Sequence, residues 1–294
     1  MDAKQITTPQ FWRAFAPEFH IGDSPSFFKE LRLSKVTPDQ RQALTTLIRT
    51  EGYFQGAMDW GVNLGMMADR VRALSAANLS PVFAFIYDEF WIPFLKLHDL
   101  YLNLLGGNYY VLPDFWIWNV DPKKNDAGWP PHRDMGRLSL LPDGSPKSLT
   151  TWIPLSAATT LNGCVYIVPA CFDPTYGTDD DKTWKFELPS IRALPGNPGD
   201  FFVWNQAVLH WGSKTSRLAP ESRVSMAFEF QRADIPPINQ PLMPPLSILP
   251  FESRLKLIAK QILQYRHMYK VDEEIEKIAI ELVSAAPATP VPVA

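Results

Sequence analysis

Two histidines and one aspartate in this chain stand where they could share a metal ion. The segment GWPPHRDMG, residues 128–136, sets His132 two residues ahead of Asp134. Its paired prolines lack backbone donors and bias what precedes them towards extended backbone. In extended chain, residues i and i+2 project to the same side, so a nitrogen and a carboxylate would aim at one point. A third donor is needed. Of the five histidines, His20 falls in an N-terminal loop, His98 in an apolar helical stretch and His267 in a C-terminal helix. Each reads most simply as a surface or satisfied core histidine. His210 differs, because it sits in strand-rich sequence, GDFFVWNQAVLHWGS. A sheet closed into a barrel would bring it beside His132. Two imidazoles and one carboxylate occupy one face of a metal and leave the opposite positions open, the arrangement of non-haem Fe(II) oxygenases. Zinc accepts the same donors, so the triad alone leaves metal and reaction open.

An anion-binding group follows in RVSMAFEFQR. Strict alternation puts Arg223, Ser225, Ala227 and Glu229 on one face of a strand and Val224, Met226, Phe228 and Phe230 on the other. Such a strand suits a barrel that holds a ligand inside and is covered by helices outside. An inward arginine is costly unless it meets an anion, and its planar fork fits a carboxylate in bidentate geometry. Ser225 could add a hydroxyl. A dicarboxylic acid reaching from the metal to Arg223 is the ligand these residues suggest.

The elements that must position these groups follow from the rest of the chain. Residues 1–107 are expected to be helical. A capping box over Thr37–Gln40 begins one helix, and a long apolar helix runs from Pro81 to Gly106, kinked or split at Pro93. Residues 108–232 carry short runs rich in β-branched and aromatic residues, separated by Gly, Pro, Asn and Asp: 109–120, 149–156, 163–170, 199–205, 207–212 and 223–232. That texture predicts a sandwich or barrel. Helices return over 247–285, and the Pro-rich tail, 286–294, is expected to be disordered. We expect one domain over 1–285.

Composition excludes several classes. The formal charge of -3 gives no electrostatic case for nucleic acid or an anionic membrane. No uncharged run reaches membrane-spanning length, and the N-terminus lacks the apolar core of a signal peptide. Two cysteines, Cys164 and Cys171, form no disulfide framework and are expected to pack as small buried groups. The expectation is a cytoplasmic protein, monomer or homodimer, acting on a small molecule.

The order HxD, then TTWIPLSAATTLNGCVYIVPA, then GDFFVWNQAVLHWGS, then Arg-x-Ser resembles the phytanoyl-CoA dioxygenase family over roughly residues 110 to 232. That resemblance implies a double-stranded β-helix (jelly-roll, cupin-like barrel) with helices packed outside. It implies Fe(II), 2-oxoglutarate and O2 as cofactor and co-substrates, with succinate and carbon dioxide released as a substrate C–H bond is oxidised. The iron ligands would fall on His132, Asp134 and His210, and the 2-oxoglutarate-binding arginine on Arg223. Trp152 holds a strand position from which members often contact the co-substrate. An aspartate at 134, where halogenases of the superfamily carry a small residue, favours hydroxylation or desaturation. Ser225 and Asn119 are further candidates for the co-substrate, Asn119 beside a turn-capping role. Arg133 is expected to point away and pair at the surface, and 172–187 to form a lid-like loop over a solvated Asp179–Asp181 run. Two other readings stay open: a metal-containing barrel that binds or senses a ligand without turnover, and a zinc hydrolase.

Overall fold

The computed structural model describes residues 3–22, 31–267, 271–284 and 291–292. Helices come first: α1 (Pro9–Phe15), α2 (Pro38–Thr50) and, after strand β1 (Tyr53–Ala57), α3 (Leu64–Ala76). The capping box of α2 forms as expected, with Thr37 Oγ1 accepting from Gln40 N and Gln40 Oε1 from Thr37 N.

The stretch expected as one long helix is broken instead. Two 3-10 turns, Pro81–Ile86 and Asp88–Phe90, precede α4 (Ile92–Lys96) and α5 (His98–Leu104). The break has a polar cause. Tyr87 is extended, and the buried carboxylates that follow it accept from chain outside the stretch. Asp88 takes Gly22 N and Glu89 takes His20 N. These acids tie the N-terminal segment down rather than continuing a helix.

The β region comprises β2 (Tyr109–Val120), β3 (Ser148–Pro154), β4 (Val165–Val168), β5 (Arg192–Leu194), β6 (Asp200–Asn205), β7 (Leu209–Gly212) and β8 (Arg223–Arg232). They form two antiparallel sheets, in the orders β1-β6-β3-β8-β2 and β5-β4-β7. The sheets face one another as the two halves of a double-stranded β-helix, open rather than closed into a cylinder. Strands β1 and β5 escape the sequence reading. β1 is a short addition to the sheet edge at β6, and β5 has three residues. Pro113 sits inside β2, which is tolerated because β2 is an edge strand. The pairing with β8 slips between Val111 and Phe115, forming a bulge around it.

Strand alternation divides the core in two. Trp116, Trp152, Phe202, Trp204 and Ala227 point between the sheets. Phe115, Ile153, Val203, Met226, Phe228 and Phe230 point outward and pack on Phe85, Phe90 and Phe94 of the helical layer. After β8 come β9 (Ser247–Ile248), α6 (Phe251–Gln264) and α7 (Glu273–Ser284). Of the tail expected to be disordered, only Val291–Pro292 falls among the described residues, paired with β9.

Helix α6 is locked to this layer by a buried ion pair. Arg254 lies 2.5 Å from Asp88, and both side chains are almost fully buried. The guanidinium also donates to the carbonyls of Leu249 and Ile86. Removing the arginine leaves Asp88 charged and buried. Arg254→Ala is therefore expected to cost about 3–5 kcal/mol, while Asp88→Leu with Arg254→Met costs less than that single change. Urea unfolding of the three proteins measures both.

Candidate active site

Residues 127–132 run antiparallel to β7 and its continuation, with bridges Ala127↔Lys214 and His132↔His210. His132 and His210 exchange two backbone hydrogen bonds of 3.0 Å, and Gly212 N donates to Trp129 O. Pro130 and Pro131 fall between these anchors, where no donor is demanded of them. The two chains approach so closely that a Cβ on Gly128 would lie 2.4 Å from Gly212 Cα. Glycine at both positions is a steric requirement.

This pairing sets the imidazoles side by side, with ring centroids 4.4 Å apart. Asp134 Oδ1 lies 3.4 Å from His132 Nε2 and 3.5 Å from His210 Nε2. One donor atom from each residue falls within 4.8 Å of the others, and no other such group of acids, histidines or cysteines occurs among the described residues. The remaining nitrogens are spoken for. His132 Nδ1 is 2.7 Å from Pro130 O, and His210 Nδ1 is 3.1 Å from Val208 O. A carbonyl only accepts, so each Nδ1 carries the proton and each Nε2 offers its lone pair to the shared point. Asp134 is oriented in the same way, its Oδ2 accepting from Thr150 Oγ1 at 2.8 Å and Trp204 Nε1 at 3.1 Å. Oδ1 is left for a ligand role. These are the donors, tautomers and spacing that a divalent transition metal requires.

Charge follows the geometry. Burial works against ionised Asp134, but His210, His132 and Thr150 outweigh it and hold the carboxyl well below its usual range. Burial pushes His210 down to about 4. For His132, burial is overcome by the hydrogen bond and charge of Asp134, and its pKa is raised.

Arg223 lies deeper between the sheets and is 3% exposed. One terminal nitrogen donates to Ser225 Oγ, the guanidinium lies 5.6 Å from the Trp152 ring centroid, and Nε is buried with no partner. Burial pulls its pKa down to about 10, so it stays a cation at neutral pH. No acid among the described residues pairs with it, and an unsatisfied buried guanidinium is the mark of an anion site.

The cavity joining triad and arginine is also lined by Trp116, Trp118, Trp129, Trp204 and Trp211. Trp152 lines it. Asn119 does not. Alternation along β2 turns Trp116 and Trp118 inward and Asn119 to the other face, where its Oδ1 has no hydrogen-bond partner and so caps no turn. Cys171, expected to be buried, is exposed, whereas Cys164 is buried.

Arg133 overturns its expectation most fully. It is buried, with its guanidinium 2.6 Å from Asp173 and further donations to Thr175 Oγ1, Asp181 O and Ala207 O. It thereby ties loop 172–187 to the HxD segment. The same loop stacks Phe186 on Trp211 at the cavity. Within the Asp179–Asp181 run, Asp181 is engaged rather than solvated, its carboxylate accepting from Arg137 N. Thr150, Trp204 and Glu229 also escaped assignment from sequence. Glu229 alone carried a signal, its inward register on β8.

Comparison with known proteins adds a family and a fold. A family model described as Phytanoyl-CoA dioxygenase (PhyH) matches residues 66–217, just over half of the chain. No curated protein matches. Among solved structures, the non-heme monooxygenase ThoJ in its apo form is 14% identical, covers 81% of this chain and 99% of its own, and superposes with a TM-score of 0.53. The epimerase SnoN in complex with Fe3+, alpha ketoglutarate and nogalamycin RO is 18% identical, covering 70% of this chain and 93% of its own, at 0.51. AviO1 from Streptomyces viridochromogenes is 18% identical, covering 67% and 97%, also at 0.51. At these identities the likeness is one of fold.

The support beneath Asp134 makes a quantitative expectation. Thr150→Val removes one donor from Oδ2 and should weaken metal binding about 10–100-fold, whereas His210→Ala, leaving two donors, should abolish it. Titration of each apoprotein with Fe(II) under nitrogen checks both.

Proposed function

Because the chain belongs to the phytanoyl-CoA dioxygenase family, a group of iron- and 2-oxoglutarate-dependent non-haem enzymes, we propose that it oxidises an unactivated C–H bond of a small organic molecule, by hydroxylation in the first instance. The observation that carries the reading is the conjunction of a facial His132–Asp134–His210 set with the buried guanidinium of Arg223, which pairs with no acid among the described residues, in one cavity. A zinc hydrolase needs the triad but has no use for a buried cation facing a second ligand. A decayed, purely binding protein has no reason to retain all four groups with their orienting partners.

Each residue has a distinct task. His132, Asp134 and His210 would hold Fe(II) through Nε2, Oδ1 and Nε2, leaving the opposite coordination positions to ligands. With 2-oxoglutarate and O2, the metal supplies the oxidising chemistry while the co-substrate is converted to succinate and carbon dioxide. Arg223 binds the distal carboxylate of that diacid. Ser225 holds the guanidinium from one side and the Trp152 ring lies against it, so the fork is set before the anion arrives. That preorganisation lowers the ordering cost of binding. The tryptophan walls keep water from the reacting C–H bond and confine the substrate over the metal. Asp134 fills the third protein position, leaving no vacancy for a halide.

The test is succinate release. Fe(II) with 2-oxoglutarate should yield succinate at a slow rate without substrate, and Arg223→Ala should keep iron binding while raising the 2-oxoglutarate concentration for half-saturation by about 10–100-fold, the scale of one lost charge-assisted pair. No succinate from the wild-type protein, or an unchanged 2-oxoglutarate requirement in the variant, would contradict this function.

A further inference from the structure

The far end of the cavity from Arg223 is built for the opposite charge. Glu229 stands on the same face of β8, six residues on, roughly 20 Å away along the strand at its usual rise. Its side chain is half-buried and lines the cavity. The protein gives it only neutral partners: Gln206 Nε2 donates to Oε2 at 2.7 Å, and the Trp116 indole is its other hydrogen-bond partner. No lysine or arginine among the described residues pairs with it. Asp114 lies within electrostatic range of it. Asp114 is itself met by the neutral groups of Asn239, Gln264 and Tyr265. The ammonium of Lys260, which feels Asp114, is held by Asn239 and Gln264. Burial is the largest cause raising the Glu229 carboxyl above its usual range. Lys260 thus serves Asp114, and Glu229 itself is left with no basic partner among the described residues.

Aromatic rings shape the same corner. Trp116 and Trp118 lie parallel, 7° apart in plane with centroids at 6.0 Å. Trp129 stands nearly perpendicular to both, at 79° and 85°. Trp118 and Trp129 are only half-buried and line the cavity with Glu229. Ring faces carry negative potential and attract cations, tryptophan most strongly. A second anion is disfavoured here, whereas an arriving cation would meet the carboxyl and favour its ionised form.

We infer that the substrate is an organic cation, an amine or alkylammonium compound, whose charged nitrogen is held by Glu229 among Trp116, Trp118 and Trp129 while a neighbouring C–H bond faces the metal. This rests on the oxygenase reading only for what happens beside the metal. Opposite charges at the two ends also sort the ligands, since a diacid suits Arg223 and is rejected by Glu229, and a cation the reverse.

The experiment is calorimetric titration of the full chain loaded with Ni(II) and 2-oxoglutarate. The probes are choline and phenethylammonium, each compared with its neutral carbon isostere. Each cation should bind at least about tenfold more tightly than its isostere, a difference of about 1.4 kcal/mol. E229Q should remove that preference, and W129L should weaken the cations several-fold. Equal affinities, no saturable cation binding, or a preference that survives E229Q overturns the proposal. Titrating 2-oxoglutarate into the protein loaded with Ni(II) alone separates the two readings. If it binds while the cation preference is missing, only the substrate assignment falls; if neither binds, the oxygenase reading falls with it.

Discussion

The structure depends on one strand having two incompatible faces. β8 turns Val224, Met226, Phe228 and Phe230 onto the aromatic helical layer and Arg223, Ser225, Ala227 and Glu229 into the space between the sheets. Period-two projection makes this division absolute, since a one-residue slip would exchange the faces. The register is held against such a slip on both sides, by β3 and by β2. The outer face contributes the apolar burial that stabilises the sheet, and that burial offsets the cost of keeping a guanidinium and a carboxyl in the interior. Without the helical layer, β8 would have no reason to turn its charges inward.

The proposed metal ligands obey the same logic at a finer scale. Their donor atoms are aimed by backbone, through the His132↔His210 bridge and the two carbonyls that accept from Nδ1. Asp134 is aimed by side chains of the first sheet, Thr150 and Trp204. The triad is thus held jointly by both halves of the β-helix, and its geometry reports whether the sheets are in register with one another. Arg133 extends the arrangement outward, fastening loop 172–187 to the segment that carries two of the three donors.

Much of this was legible in the sequence, for definite reasons. β8 was recoverable to the residue because its amphipathic alternation is long, and β2 because its run of β-branched and aromatic residues is bounded by Gly107-Asn108 and Asp121. The meeting of His132, Asp134 and His210 could be expected because few residue types bind metals and only one histidine besides His132 fell in strand-rich sequence. What stayed hidden was decided by partners distant in the chain. The apolar run after Pro81 reads as a helix until Asp88 and Glu89 are seen capturing Gly22 and His20. Arg133 reads as surface because local projection puts it opposite its neighbours, yet the loop forty residues on closes over it and buries its charge against Asp173. Asn119 failed for a simpler reason. A polar residue in a strand next to ligand-facing tryptophans belongs by parity to the other side.

Parity also explains why Glu229 was placed on the inner face yet given no task. Sequence can assign a side to a carboxyl, but not the charges it will face there. Only the fold brings Asp114 from the β2 bulge into range, and only the fold withholds a basic residue. In a core, an acid so placed would be an error of the kind selection removes, because an apolar residue of similar size costs less. In the wall of a ligand cavity the balance changes, since the missing charge can arrive with the ligand. The same reasoning applies to Arg223 at the other end. A cavity with an unmatched cation at one end and a carboxyl without a basic partner at the other, and metal donors between them, is an interior completed by what it binds.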